Sequence, residues 1–187
     1  MWCDDNYGHI TRLSNKEERQ RKGGAGIYYH ISYWGRPHSY LWLCTTAPAQ
    51  IYYEMRRAWD YGARKIWALN VGDIKPAEYD IEFFMDMAWN IDAIRPNNIY
   101  RHLHDFMSRT FTPQSAQELT DIMNEYYYLA NIRRPEFMGW SREEEYSKIK
   151  GGKTPVTDTE FSPEEIEQRI TAYQNLEKRV KCIKKQI

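Results

Sequence analysis

Asp4 and Asp5 are adjacent carboxylates, followed at once by the amide of Asn6, in the stretch Trp2-Cys3-Asp4-Asp5-Asn6-Tyr7-Gly8. A carboxylate at the end of a strand is a candidate general acid, base or nucleophile. Neighbours in a strand point to opposite faces, so only one of the pair faces a given pocket unless the chain has already turned. The competing reading is that an Asp caps the following turn by bonding its own backbone. His30 stands near the end of the apolar run Ile27-Tyr28-Tyr29-His30-Ile31-Ser32. An imidazole there is either a hydrogen-bonded core residue or a group that handles protons. Asn70 closes Ile66-Trp67-Ala68-Leu69, and an amide at that place must find partners. Asp73 and Lys75 follow it; they either pair across the turn or leave Lys75 to meet an anionic group.

Three strands are needed to hold these groups. Residues 2–4, 27–32 and 66–70 each read as a strand whose C-terminal end carries polar and aromatic side chains before a Gly or Pro turn. In α/β proteins, active sites are built at that end of the strands. Residues 1–3 look like the tail of a strand that begins earlier. The run 27–32 is apolar almost throughout, as expected for a strand buried on both faces of a parallel sheet.

Helices alternate with these strands. Ser14 followed by Glu17 reads as a capping box that opens a short charged helix through Lys22. Gly23, Gly24 and Gly26 end it; this glycine-rich stretch leads into a strand rather than out of one, which argues against a phosphate cradle. Pro48 opens a helix at a favoured first-turn position, and Ile51, Met55, Ala58 and Trp59 recur at helical spacing, with Gly62 as the C-cap. Strand 27–32, this helix and strand 66–70 make a right-handed βαβ unit. A further helix over 76–89 has an apolar face of Tyr79, Phe83, Phe84, Met87 and Ala88. The break at Pro96-Asn97-Asn98 marks a domain boundary. Beyond it, residues 99–109, 115–133 and 163–187 form amphipathic helices with no strand. Residues 151–155 form a loop. The expected fold class is α/β, with 1–98 and 99–187 as its two parts.

Composition narrows the function. Lys plus Arg and Asp plus Glu are each 26, so the formal net charge is zero. Charge alone gives no case for nucleic-acid or anionic-membrane binding. The 7 Trp and 15 Tyr are numerous, and flat aromatic faces suit the apolar C–H faces of sugars, although each such ring also serves to fill a core. Cys3, Cys44 and Cys182 are odd in number and far apart, with no metal-binding spacing and no disulfide framework. No run of 18 apolar residues is present, and no signal peptide opens the chain, so the protein is cytoplasmic or the chain is part of a longer one.

Three motifs in order carry a resemblance: Trp-x-Asp-Asp-Asn-Tyr-Gly from Trp2, Tyr-Tyr-His-Ile-Ser-Tyr-Trp-Gly-Arg-Pro from Tyr28, and Asn-Val-Gly-Asp-Ile-Lys-Pro-x-Glu-Tyr from Asn70. Together they resemble glycoside hydrolase family 115, the xylan α-1,2-glucuronidases, from Trp2 to about Trp89 and more weakly beyond. The resemblance implies a partial TIM-like (β/α)8 barrel, its C-terminal half, followed by an α-helical bundle. It implies removal of glucuronic or 4-O-methylglucuronic acid from glucuronoxylan or a uronic-acid-bearing oligosaccharide. The mechanism would be an inverting acid/base one, without metal or cofactor. Asp4 is then the catalytic candidate, and Asp5, Asn6, His30, Tyr33, Trp34, Arg36, Asn70, Asp73 and Lys75 are the substrate-binding ones. His9 stands where the family more often has Tyr. An inverting pair needs a second carboxyl about 6.5–9.5 Å away, which the family supplies from earlier strands. The resemblance also implies a secreted or periplasmic parent that can form a homodimer. The alternative is a non-catalytic carbohydrate-binding or interaction module that uses the same aromatics; hydrolysis separates the two.

Overall fold

The computed structural model describes residues 1–5, 7–34, 43–134 and 161–187, and the backbone of 146–147 and 152–153. Three parallel strands pair in chain order: β1 (Trp2–Cys3), β2 (Ala25–His30) and β3 (Ala63–Asn70). The register sets Cys3 beside Tyr28 and His30 beside Asn70, which brings the strand ends to one side of the sheet. Both longer strands start earlier than the sequence predicts. Ala25 and Gly26 belong to β2, and a register shift lies between Ala25 and Ile27. Gly26 explains that start: a Cβ there would lie closer to the carbonyl of Ile66 than real Cβ atoms come, so only glycine lets β3 approach.

Between β1 and β2 lies the short helix α1 (Lys16–Arg19). Its capping box is one residue later than the sequence predicts: Asn15 accepts from the Glu18 amide at 2.8 Å, and the Glu18 carboxylate accepts from the Asn15 amide at 2.9 Å. Ser14 instead accepts from Trp2 Nε1 at 2.8 Å. The helix stops at Arg19, well short of Lys22.

Helix α2 (Pro48–Asp60) joins β2 to β3, and α3 (Ile74–Trp89) follows β3. Ile51, Met55 and Ala58 are buried as predicted, with Trp59 half-buried. Tyr79, Phe83, Phe84 and Met87 of α3 are buried, whereas Ala88 is exposed. These helices pack on the sheet face that carries Ile27 and Tyr29, and Tyr29 stacks on Phe84 with ring centroids 6.3 Å apart. Only that face is covered among the described residues. The opposite face, with Tyr28, His30, Ala68 and Asn70, is half-buried, and Ile66 is 62% exposed. The expectation of β2 buried on both faces fails for that reason.

Helices α4 (Ile99–Thr110) and α5 (Ala116–Ile132) extend the same core through Leu103, Met107, Ala116 and Tyr127. The apolar packing therefore runs across residue 98 without a gap. On the surface, His102 of α4 bonds Asp86 at 2.9 Å, and Arg109 pairs with Glu82, which ties α4 to α3. Helix α6 (Pro163–Ile183) starts at a Ser162 cap that accepts from the Glu165 amide. It packs Leu176 and Ile183 against Ile122 and Leu129 of α5. Two short antiparallel strands, β4 (Tyr146–Ser147) and β5 (Gly152–Lys153), correct the expectation that this half has no strand. No helix among the described residues is long and apolar enough to cross a membrane.

Candidate functional site

Alternation along β2 decides which side chains meet at the strand ends. Ile27 and Tyr29 enter the core, so Tyr28 and His30 point to the opposite face. His30 holds Asp4 at two points. Its backbone N–H donates to Asp4 Oδ2 at 3.0 Å, and its Nδ1 lies 2.6 Å from Oδ1. The Asp4 side chain is 0% exposed and that of His30 is 14% exposed. A carboxylate only accepts, so Nδ1 is the donor in that bond. Asp4 thus fixes the angle of the imidazole.

Aromatic rings pack around that imidazole. Tyr28 lies 4.4 Å from it and Tyr33 5.8 Å, centroid to centroid. The Tyr28 hydroxyl accepts from Asn70 Nδ2 at 2.5 Å. Asp4, His30, Tyr28 and Asn70 therefore join three neighbouring strand ends through bonds and ring contact. The sequence reading brings Asp4, His30, Tyr33 and Asn70 here and misses Tyr28, although Tyr28 stands two residues before His30 and must share its face.

The segment after β1 is held from several sides. Asp5 Oδ1 accepts from the amides of Tyr7 at 2.8 Å and His9 at 2.9 Å, so Asp5 shapes the turn. Gly8 has φ of +80°, a backbone state that disfavours any side chain. Its carbonyl accepts from Tyr29 OH at 2.9 Å. The Tyr7 carbonyl accepts from Gln50 at 2.8 Å and from Arg134 at 2.8 Å. Glu54, 1% exposed, accepts from the Ile10 amide at 3.1 Å, lies 3.2 Å from His9 Nδ1 and pairs with Arg57 at 2.9 Å. A buried carboxylate needs such partners. Glu54 falls at helical spacing inside the apolar stripe of α2, and that out-of-place charge was a readable signal.

Other candidates sit apart from this cluster. Trp34 is 82% exposed just beyond β2. Asp73 precedes α3 and is exposed, with no side-chain bond to the helix. Lys75 bonds Glu78 at 2.9 Å, one turn along α3, and does not pair with Asp73. Asn6 and Arg36 lie outside the described residues.

A second buried polar cluster lies under the helices. Asp80 of α3 accepts from Cys44 Sγ at 3.1 Å and from Tyr127 OH of α5 at 2.9 Å. Burial pushes the Asp80 carboxyl up to about 7, against the opposing pull of those two bonds and of the Arg134 charge. Burial, reinforced by Asp80, pushes the Cys44 thiol far above its ordinary range. Cys44 is therefore a structural thiol rather than a nucleophile. All three cysteines are free.

A model of glycosyl hydrolase family 115 matches residues 1–137. The chain belongs to this family. Among solved structures it is similar to a family GH115 4-O-methyl-α-glucuronidase with specificity for decorated arabinogalactans, at 49% identity and a TM-score of 0.85. That match covers 97% of this chain and 24% of the solved one, so the chain spans about a quarter of its neighbour's length. No curated protein matches the chain.

Proposed function

We propose that this chain supplies part of the substrate site of an α-glucuronidase that removes 4-O-methylglucuronic acid from a plant polysaccharide. One observation carries the reading: Asp4, His30, Tyr28 and Asn70 form a connected polar cluster at three parallel strand ends. The chain that holds it is 49% identical to a 4-O-methyl-α-glucuronidase. The three strands and their helices are a segment of a TIM-like barrel, and helices α4, α5 and α6 buttress it. The division at 98 is then one of roles, since the core crosses it.

Asp4 acts through His30. Its side chain has no exposure, so it reaches no sugar directly, and it is a positioning residue for the imidazole. His30 Nε2, the Asn70 amide and Tyr33 meet the substrate. Trp34 offers a flat face to a sugar ring. Asp5 keeps the turn that leads to Asn6. Lys75 and Arg36 are the candidates for the uronate carboxylate; the exposed bond from Lys75 to Glu78 is weak enough to be exchanged for it. Asp73 flanks Lys75. The acid and base of an inverting mechanism need about 6.5–9.5 Å between carboxyls, and they come from strands of the longer enzyme. That enzyme is secreted or periplasmic and can form a homodimer.

The polysaccharide is glucuronoxylan in the first reading, and the neighbour's specificity favours decorated arabinogalactan as the second. The test is release of 4-O-methylglucuronic acid from each by the longer enzyme that contains this chain. Release from either supports the proposal, and the preferred polymer chooses between them; release of neutral sugars alone, or of nothing, overturns it. In the same enzyme, Asp4→Asn should lower kcat by about 100-fold. If Asp4 works through His30, adding Asp4→Asn to His30→Ala should cost little more, whereas additive losses would separate the two roles.

A further inference from the structure

Arg134 is 127 positions from Tyr7 in sequence, yet its guanidinium donates to the Tyr7 carbonyl at 2.8 Å. It also lies 3.4 Å from Gln50 Oε1, and Gln50 Nε2 donates to the same Tyr7 carbonyl at 2.8 Å. The three groups close a ring: Arg134 from just past α5, Gln50 from the first turn of α2, and the main chain of the segment after β1. The same segment is also held by Glu54, at the Ile10 amide, and by Tyr29, at the Gly8 carbonyl. The segment thus has anchors on α2 and β2, with one from the helical half of the chain.

We infer that Arg134 is a positioning residue for the strand-end site, through which the helical half sets the conformation of the segment between Asp5 and Ile10. The inference rests on the glucuronidase reading above. Three features support it. A carbonyl held by a cation makes a stronger bond than one held by a neutral donor. Arg134 also bears on the buried cluster under the helices, where its charge pulls the Asp80 carboxyl down against burial. The segment it grips begins one residue after Asp4, whose carboxylate orients His30. Displacement of the Tyr7 carbonyl is therefore passed along a few bonds to the imidazole. Misplacement of about 1 Å can cost on the order of 100-fold in rate.

The experiment uses the longer enzyme that contains this chain. Wild type, Arg134→Ala, Arg134→Lys and Gln50→Ala are compared for kcat and KM in uronic acid release and for hydrogen exchange of backbone amides in residues 5–10. The expected result for Arg134→Ala is a kcat lower by about 10- to 100-fold, a KM changed less than threefold, and faster exchange confined to that segment. Arg134→Lys keeps a cation but loses the planar fork, so it should fall between wild type and Arg134→Ala. Unchanged kcat in Arg134→Ala, or lowered kcat with exchange of residues 5–10 unchanged, would overturn the inference. Where Arg134→Ala does not fold, Arg134→Lys and Gln50→Ala decide in the same way: wild-type kcat in both overturns it. Wild-type enzyme without uronic acid release would instead overturn the glucuronidase reading; the exchange comparison then decides the inference by itself.

Discussion

Asp80 shows how one side chain can set the pH response of the molecule. It is 0% exposed, and its carboxyl is raised from 3.8 to about 7, first by burial. A raised carboxylate favours folding while it is protonated in the native state. The stabilisation is complete below the unfolded value near 3.8 and is lost as pH rises to about 7, because the unfolded chain ionises first. The span of that loss is a few kcal/mol. Asp80→Asn cannot ionise and keeps one oxygen for Tyr127 or Cys44. Denaturant unfolding at intervals from pH 4 to 8 should therefore show a flatter profile for Asp80→Asn than for the native sequence. The variant should be the less stable of the two at pH 4, where one acceptor is lost, and should close that gap by pH 8. Parallel profiles would mean that Asp80 does not titrate over this range.

At the scale of elements, the segment after β1 behaves as a clamped turn rather than a free loop. Gly8 is its stiffest requirement, with φ of +80° and a Cβ position 2.9 Å from Gln50 Nε2 and 3.2 Å from Tyr29 OH. Gly8→Ala adds the strain of a left-handed residue, about 1–2 kcal/mol, and pushes Gln50 away from the Tyr7 carbonyl. A lowered thermal midpoint with secondary structure intact is the expected outcome; an unchanged midpoint would show that the turn can relax. The sequence made part of this legible. Strand ends near Asp4 and Asn70 are readable because apolar runs stop at polar residues, whereas β2 ends at His30, two residues before the predicted Ser32; helices α2 and α3 are readable from their periodic faces. Tyr28 was hidden because a tyrosine in an apolar run looks like core, and only the burial of Ile27 and Tyr29 settles which face is which. Arg134 was hidden for a different reason: nothing local marks a side chain whose partner is 127 residues away. The Asn15 cap differed from the predicted Ser14 because Ser14 is drawn off by Trp2, a tertiary contact that outweighs the local pattern.

The whole molecule presents a three-stranded parallel sheet with β1 and β3 at its edges. Parallel strands are ordinarily covered on both faces, and open edges invite association with other chains. Here helices cover one face, and the site face is only half-buried among the described residues. The one strand-end carboxylate in the cluster, Asp4, is buried under His30 and cannot form an acid–base pair across a sugar. Loss of one member of such a pair commonly costs about 10²–10⁴ in rate, and loss of substrate positioning from the remaining strands adds to it. The purified 187-residue chain should therefore release no measurable 4-O-methylglucuronic acid from glucuronoxylan or arabinogalactan, and should self-associate through its open sheet. The longer enzyme that contains it should be active and lose that activity on His30→Ala. Turnover by the 187-residue chain alone, abolished by His30→Ala, would show that these three strand ends are catalytically sufficient and would move the acid and base onto residues of this chain.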